Sequence, residues 1–143
     1  MAATALAHRP HPAASVRVAR ADGEYDIEVC PSTSVTTVRC LALGVTVRLD
    51  AELCRDIGTS LVRAADVLDG TGWRRKHLQP MGSWQLEVLD CGEQRFDLDA
   101  VRDDSEGVCG ALISIDGMDL DGMLDAETAR AFGRLLLTQC DRT

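Results

Sequence analysis

The feature that most constrains this chain is a stretch that occurs twice. Leu49 to Asp66 reads L-D-A-E-L-C-R-D-I-G-T-S-L-V-R-A-A-D, and Leu124 to Asp141 reads L-D-A-E-T-A-R-A-F-G-R-L-L-L-T-Q-C-D. Eight of these 18 ungapped positions are identical, where roughly one is expected for unrelated segments of ordinary composition. In 143 residues there is room for one compact domain, so the two copies are expected to share a core.

Each copy reads as a helix. Asp50 and Asp125 stand at the N-cap position, where an Asp side chain accepts a bond from an unpaired first-turn amide. Glu52 and Glu127 place negative charge at the positive end of the helix dipole. Leu53, Ile57, Leu61, Ala64 and Leu68 recur at helical spacing, as do Ala129, Phe132, Leu136 and Cys140, so both helices are amphipathic and should lie on a sheet. Gly58 and Gly133 share one mid-helix register, where glycine costs about 1 kcal/mol relative to alanine. Close backbone approach, of the helices to each other or of each to a strand, is the expected compensation. Arg55 and Arg130 also recur, three residues after Glu52 and Glu127, and are expected to form surface pairs within their own helices.

Upstream of each helix the apolar pattern changes to period two. Val16 and Val18 precede Gly23-Glu24, and Tyr25, Ile27 and Val29 follow; Trp84, Leu86 and Val88 precede Gly92-Glu93, and Phe96 and Leu98 follow. Alternation on both sides of a glycine break predicts a β-hairpin. A third apolar run follows in each copy, Val35 to Leu49 and Val108 to Ile115, with Cys40 and Cys109 at equivalent places and Gly44 able to split the first run into two strands. The second copy carries a six-residue insertion before its helix. The expected architecture is α+β, an internal duplication of a β-β-β-α unit packed about a pseudo-two-fold axis into one domain. The predicted segments are a flexible tail over residues 1–14, a first copy over 15–69, a linker over 70–83 and a second copy over 84–143.

Aromatic residues make up only 3% of the chain, so the core must be built from Val, Leu, Ile and Ala and offers few large faces for stacking bases or sugars. The N-terminal segment is Ala- and Pro-rich without the apolar run of a signal peptide, and no window reaches the roughly 20 apolar residues of a membrane helix. The expectation is a cytoplasmic protein with no membrane contact. Six cysteines (Cys30, Cys40, Cys54, Cys91, Cys109 and Cys140) are then expected as free thiols. They contain no C-x-x-C pair and so no zinc-ribbon or thioredoxin-type motif.

Chemistry-bearing patterns are few. Asp116, Asp119, Asp121, Asp125 and Glu127 crowd the insertion, but setting Gly122 as the turn glycine of a calcium loop puts Gly117 and Thr128 at the first and twelfth ligand positions. His8 and His11 lie in the tail and His77 in the linker, too dispersed for a metal site or a base beside a thiol. No nucleophile elbow, zinc-protease helix, phosphate loop or dinucleotide fingerprint is present. Neither catalytic residues nor a cofactor are expected.

Charge is uneven. Residues 84–143 carry 5 basic and 14 acidic side chains, a net of −9, against 6 and 9, a net of −3, over residues 15–69. Such a field repels a nucleic-acid duplex, so general nucleic-acid binding is not expected. The expected function is non-enzymatic: a protein-interaction or accessory factor meeting a basic protein partner through Asp103, Asp104, Glu106, Asp119 and Asp121, with a nucleic-acid mimic or inhibitor as a specific form. The alternative is a small-molecule or metal-binding domain, or a thiol enzyme, using the cleft between the copies. A homodimer through an open sheet edge is also compatible. The frame V-T-V-R-L-D-A-E-x-x-R-x-x-G-x-x-L-x-x-A-A-D resembles a segment of small proteins of high-GC actinobacteria and their phages, and the single lysine against 14 arginines accords with such a genome. This resemblance implies no activity, cofactor or site residue.

Overall fold

The computed structural model describes residues 14–20, 23–32, 35–70, 76–103, 105–116 and 120–142. Chain order is β1 (Ala14–Arg20), β2 (Gly23–Pro31), β3 (Thr36–Cys40), β4 (Val45–Leu49), α1 (Ala51–Asp69), β5 (Lys76–Val88), β6 (Gly92–Asp103), β7 (Val108–Ile115), β8 (Leu120–Leu124) and α2 (Ala126–Arg142), with a 3-10 turn at Leu41–Leu43. The fold is α+β. All eight strands are antiparallel to their neighbours and close in sequence order into a barrel.

Four strands precede each helix, where the sequence suggests three. Gly44 adopts the left-handed conformation (φ 67°) that a residue with a Cβ rarely takes, and it breaks the third apolar run of the first half into β3 and β4. In the second half Leu120–Leu124 form the fourth strand, β8, at the place that β4 holds in the first half, and it pairs from Ala111↔Leu124 to Ile115↔Leu120. Much of the expected linker is strand too: Lys76 to Ser83 pair with Asp103 to Asp97 of β6, across a register shift between Pro80 and Gly82. The hairpin glycines stand as expected, Gly23 opening β2 opposite Arg20 and Gly92 opening β6 opposite Val88. Cys40 ends β3 whereas Cys109 lies near the start of β7, so the two are not equivalent.

The barrel has two narrow seams. β4 meets β5 at Val47↔Val88 and Arg48↔Glu87, and β1 meets β8 at Ala19↔Met123. Inward residues from both sides of each seam, among them Val16, Val18, Val47, Val88 and Leu124, join one buried cluster with Ile57, Leu61, Phe132 and Leu136 of the helices. The helix caps form as the sequence implies. The Asp50 carboxylate accepts from the Leu53 amide at 2.8 Å, and Asp125 accepts from the Thr128 amide at 2.7 Å. Leu49 and Leu124, the first residues of the repeated frame, are the last residues of β4 and β8.

The two helices cross glycine on glycine. A Cβ on Gly133 would lie 2.6 Å from the carbonyl oxygen of Gly58, and a Cβ on Gly58 would lie 2.8 Å from that of Gly133. Such separations admit no methyl group, so both glycines are required by the closeness of the two backbones. Arg130 departs from its expected pairing with Glu127. Its guanidinium bridges to α1, 2.6 Å from Asp69 and 3.2 Å from Asp66. These bonds, to Asp69 first and Asp66 second, raise its pKa further above the ordinary value.

Candidate functional site

In an antiparallel barrel successive turns alternate between its ends, so the β1–β2, β3–β4, β5–β6 and β7–β8 turns share one end. Helices α1 and α2 leave from the other, following β4 and β8. At the turn-bearing end the interior is not filled. A cavity of about 110 Å³ opens there, lined by residues from every strand, both helices and the 3-10 turn. Ile57, Phe132 and Leu136 of the helices, all buried, form its floor. Tyr25, Ile27, Val38, Leu43, Ile113 and Ile115 line its outer part and remain half-buried, although strand alternation points most of them inward.

The origin of this space lies in side-chain size. Eight strands enclose an interior just wide enough for side chains to fill or for one small ligand to occupy, and this chain has two Trp, one Tyr and two Phe in all. Phe96 stacks on Trp84, with centroids 5.8 Å apart, and besides Tyr25 and Phe132 the apolar wall is Val, Leu, Ile and Cys40. Ser114 and Asp121 touch the cavity at its edge. They pair with each other across β7 and β8 and alternate with inward Ile113, Ile115 and Gly122, so their side chains belong to the outer face.

The residues that the sequence singled out do not converge. Asp103 ends β6 opposite Val108, and its carboxylate is engaged locally, accepting from the Ser105 amide at 3.1 Å and hydroxyl at 2.6 Å. Glu106 is exposed on the following turn, and Asp121 is exposed on β8 opposite Ser114. Val108 and Ser114 are six residues apart on one strand, which at about 3.3 Å per residue places the two groups roughly 20 Å apart. Asp104, Asp119, His8 and His11 lie outside the described residues, as do the side chains of His77 and Cys140. Among the described residues no group of three or more His, Cys, Asp or Glu is arranged to hold a metal ion. Cys30, Cys40 and Cys54 are buried, and Cys91 and Cys109 are exposed. Of these, Cys40 alone lines the cavity.

On the outer face of β6, Asp99 has its pKa raised above the ordinary 3.8, first by burial and then by the charge of Asp97. Asp97 in turn faces Arg95 at 3.1 Å, and Arg95 reaches Asp116 at 3.2 Å. On the other half, Arg39 faces Glu28 at 2.8 Å. No helix among the described residues is long and apolar enough to cross a membrane. Comparison with protein-family models, curated proteins and solved structures finds no match.

Proposed function

We propose that the chain is a binding protein for a small apolar ligand, or for the hydrocarbon part of an amphiphile, held inside the barrel. The observation that carries this reading is the open cavity with inward-facing Ile27, Val38, Ile113 and Ile115 left half-buried around it. Well-formed apolar pockets are the usual form of a small-molecule site. The cavity, about 110 Å³, is smaller than the roughly 150 Å³ that encloses benzene, so a larger molecule would extend through the open end, and each methylene moved from water into the apolar part contributes about 0.8 kcal/mol.

The internal duplication belongs to the same proposal. Four strands precede each helix, and the seams join β4 to β5 and β8 to β1. Gly58 and Gly133 hold matching positions at the helix crossing. All of this is what two copies related by a pseudo-two-fold axis would give, with the ligand space arising between them. The Pro80 ring and the shifted register beside it interrupt the edge of β5, a device that disfavours pairing with a second copy.

A titration with the neutral fluorophore N-phenyl-1-naphthylamine tests the ligand reading. Saturable binding of one molecule per chain with enhanced emission is expected, reversed by hexanol. Emission that rises linearly without saturation, as for a surface lacking a pocket, would refute it.

The second reading is contact with a basic protein partner through the acidic half, favoured by the net charge of −9 over residues 84–143. Such a contact would use either the β6–β7 turn, with Asp103 and Glu106, or the β8 end, with Asp121. Reversal of charge at one end alone would then abolish partner capture.

A further inference from the structure

Resting on the ligand reading above, we infer that the pocket takes amphiphiles with a cationic head, such as a protonated or quaternary amine on a short hydrocarbon tail, and rejects fatty carboxylates. The inner surface is apolar, so any charged group of a bound molecule must remain at the mouth. That end of the barrel is made by four turns, and the described side chains there include the carboxylates of Glu24, Asp90, Glu93, Asp116 and Asp121; Arg20 ends β1 at the same end, and its side chain lies outside the described residues. The nearest described guanidinium groups are already committed to carboxylates. Arg95 lies 3.1 Å from Asp97 and 3.2 Å from Asp116, Arg17 lies 3.2 Å from Asp26 and 3.6 Å from Glu24, and Arg39 is paired with Glu28. A head group seated there meets described charges that sum to a net negative. At the same end Leu41, in the 3-10 turn, and Leu89, just after β5, are 68% and 47% exposed, apolar surface that suits the methyl groups of a quaternary amine.

Two charges a few ångströms apart at a protein surface interact appreciably. The excess of carboxylates over guanidinium groups among the described side chains at the rim therefore separates cationic from anionic heads on the same tail by about tenfold or more at low salt. The tail contributes the same burial in either case.

The test displaces N-phenyl-1-naphthylamine from the full chain with octyltrimethylammonium, octanol and octanoate at neutral pH and about 20 mM salt, where screening is weak. The expected order of affinity is the ammonium, then the alcohol, then octanoate at least tenfold weaker than the ammonium, with the spread collapsing at about 0.5 M salt. The combined D90N, E93Q and D116N variant should narrow the spread while holding octanol as before. Equal or tighter binding of octanoate, or a spread unaffected by that variant, would overturn the inference and leave the pocket reading standing. Failure of all three compounds and of the fluorophore to bind would remove both.

Discussion

Gly133→Ala is expected to destabilise the protein by about 2 kcal/mol, even though alanine is the better helix former by about 1 kcal/mol. The new methyl would sit 2.6 Å from the Gly58 carbonyl oxygen, 2.8 Å from Cγ2 of Val62 and 3.0 Å from Cβ of Leu61. A backbone carbonyl cannot rotate aside as a flexible side chain can, so the helices must separate. Overpacking of this kind costs about 1 to 3 kcal/mol. Gly58→Ala meets the Gly133 carbonyl in the same way. The double variant should therefore lose less than the sum of the two single losses, because one separation accommodates both methyl groups. Urea unfolding of the three variants measures this. A Gly133→Ala protein as stable as the parent would mean that the helices do not cross at these glycines.

Ile113→Trp is expected to abolish apolar ligand binding, with at least a tenfold loss of affinity for N-phenyl-1-naphthylamine, while leaving the melting temperature equal or higher. Ile113 pairs with Leu98 on one side and Gly122 on the other, and it is half-buried at the cavity's outer part. The larger ring can lie over Gly122 and fill space that is open in the parent, so the usual cost of inserting bulk is offset by lost void and added burial. Val38→Phe, on the opposite wall, provides an independent plug. A plugged protein that melts as the parent does and still binds the fluorophore would place the ligand elsewhere.

The parts of this fold that were legible in the sequence are those set by neighbours along the chain. Asp50 and Asp125 announce helix starts because a cap is a bond over three residues. Gly23 and Gly92 mark hairpins because the paired strands lie on either side of them. The matching registers of Gly58 and Gly133 led to close backbone approach, and these are the glycines that meet.

What stayed hidden depends on residues far apart in the chain. Period-two patterning tells which face of a strand is apolar but not which strand it will join, so the β4–β5 and β1–β8 seams and barrel closure were not foreseen. The insertion looked like an acidic loop because Asp119, Asp121 and Asp125 dominate its composition. Yet Leu120, Gly122 and Leu124 alternate with the last two, and that alternation marks β8. Arg130 was assigned to Glu127 by helical spacing, whereas Asp66 and Asp69 reach it across the helix crossing. The cavity is a difference between enclosed volume and side-chain volume. Its one trace in the sequence is the scarcity of aromatic residues, which describes the make-up of the core and not the space within it.

The most direct test of the ligand-binding reading is a titration of the protein, methyl-labelled at Ile, Leu and Val, with hexanol followed by carbon–proton correlation spectra. Saturable shifts are predicted at Ile27, Val38, Leu43, Ile57, Ile113, Ile115 and Leu136, which line the cavity, with Leu78, 56% exposed on β5, unmoved. Shifts confined to Leu78 and other outer-face methyls, or no saturable shift at the cavity residues, would contradict it.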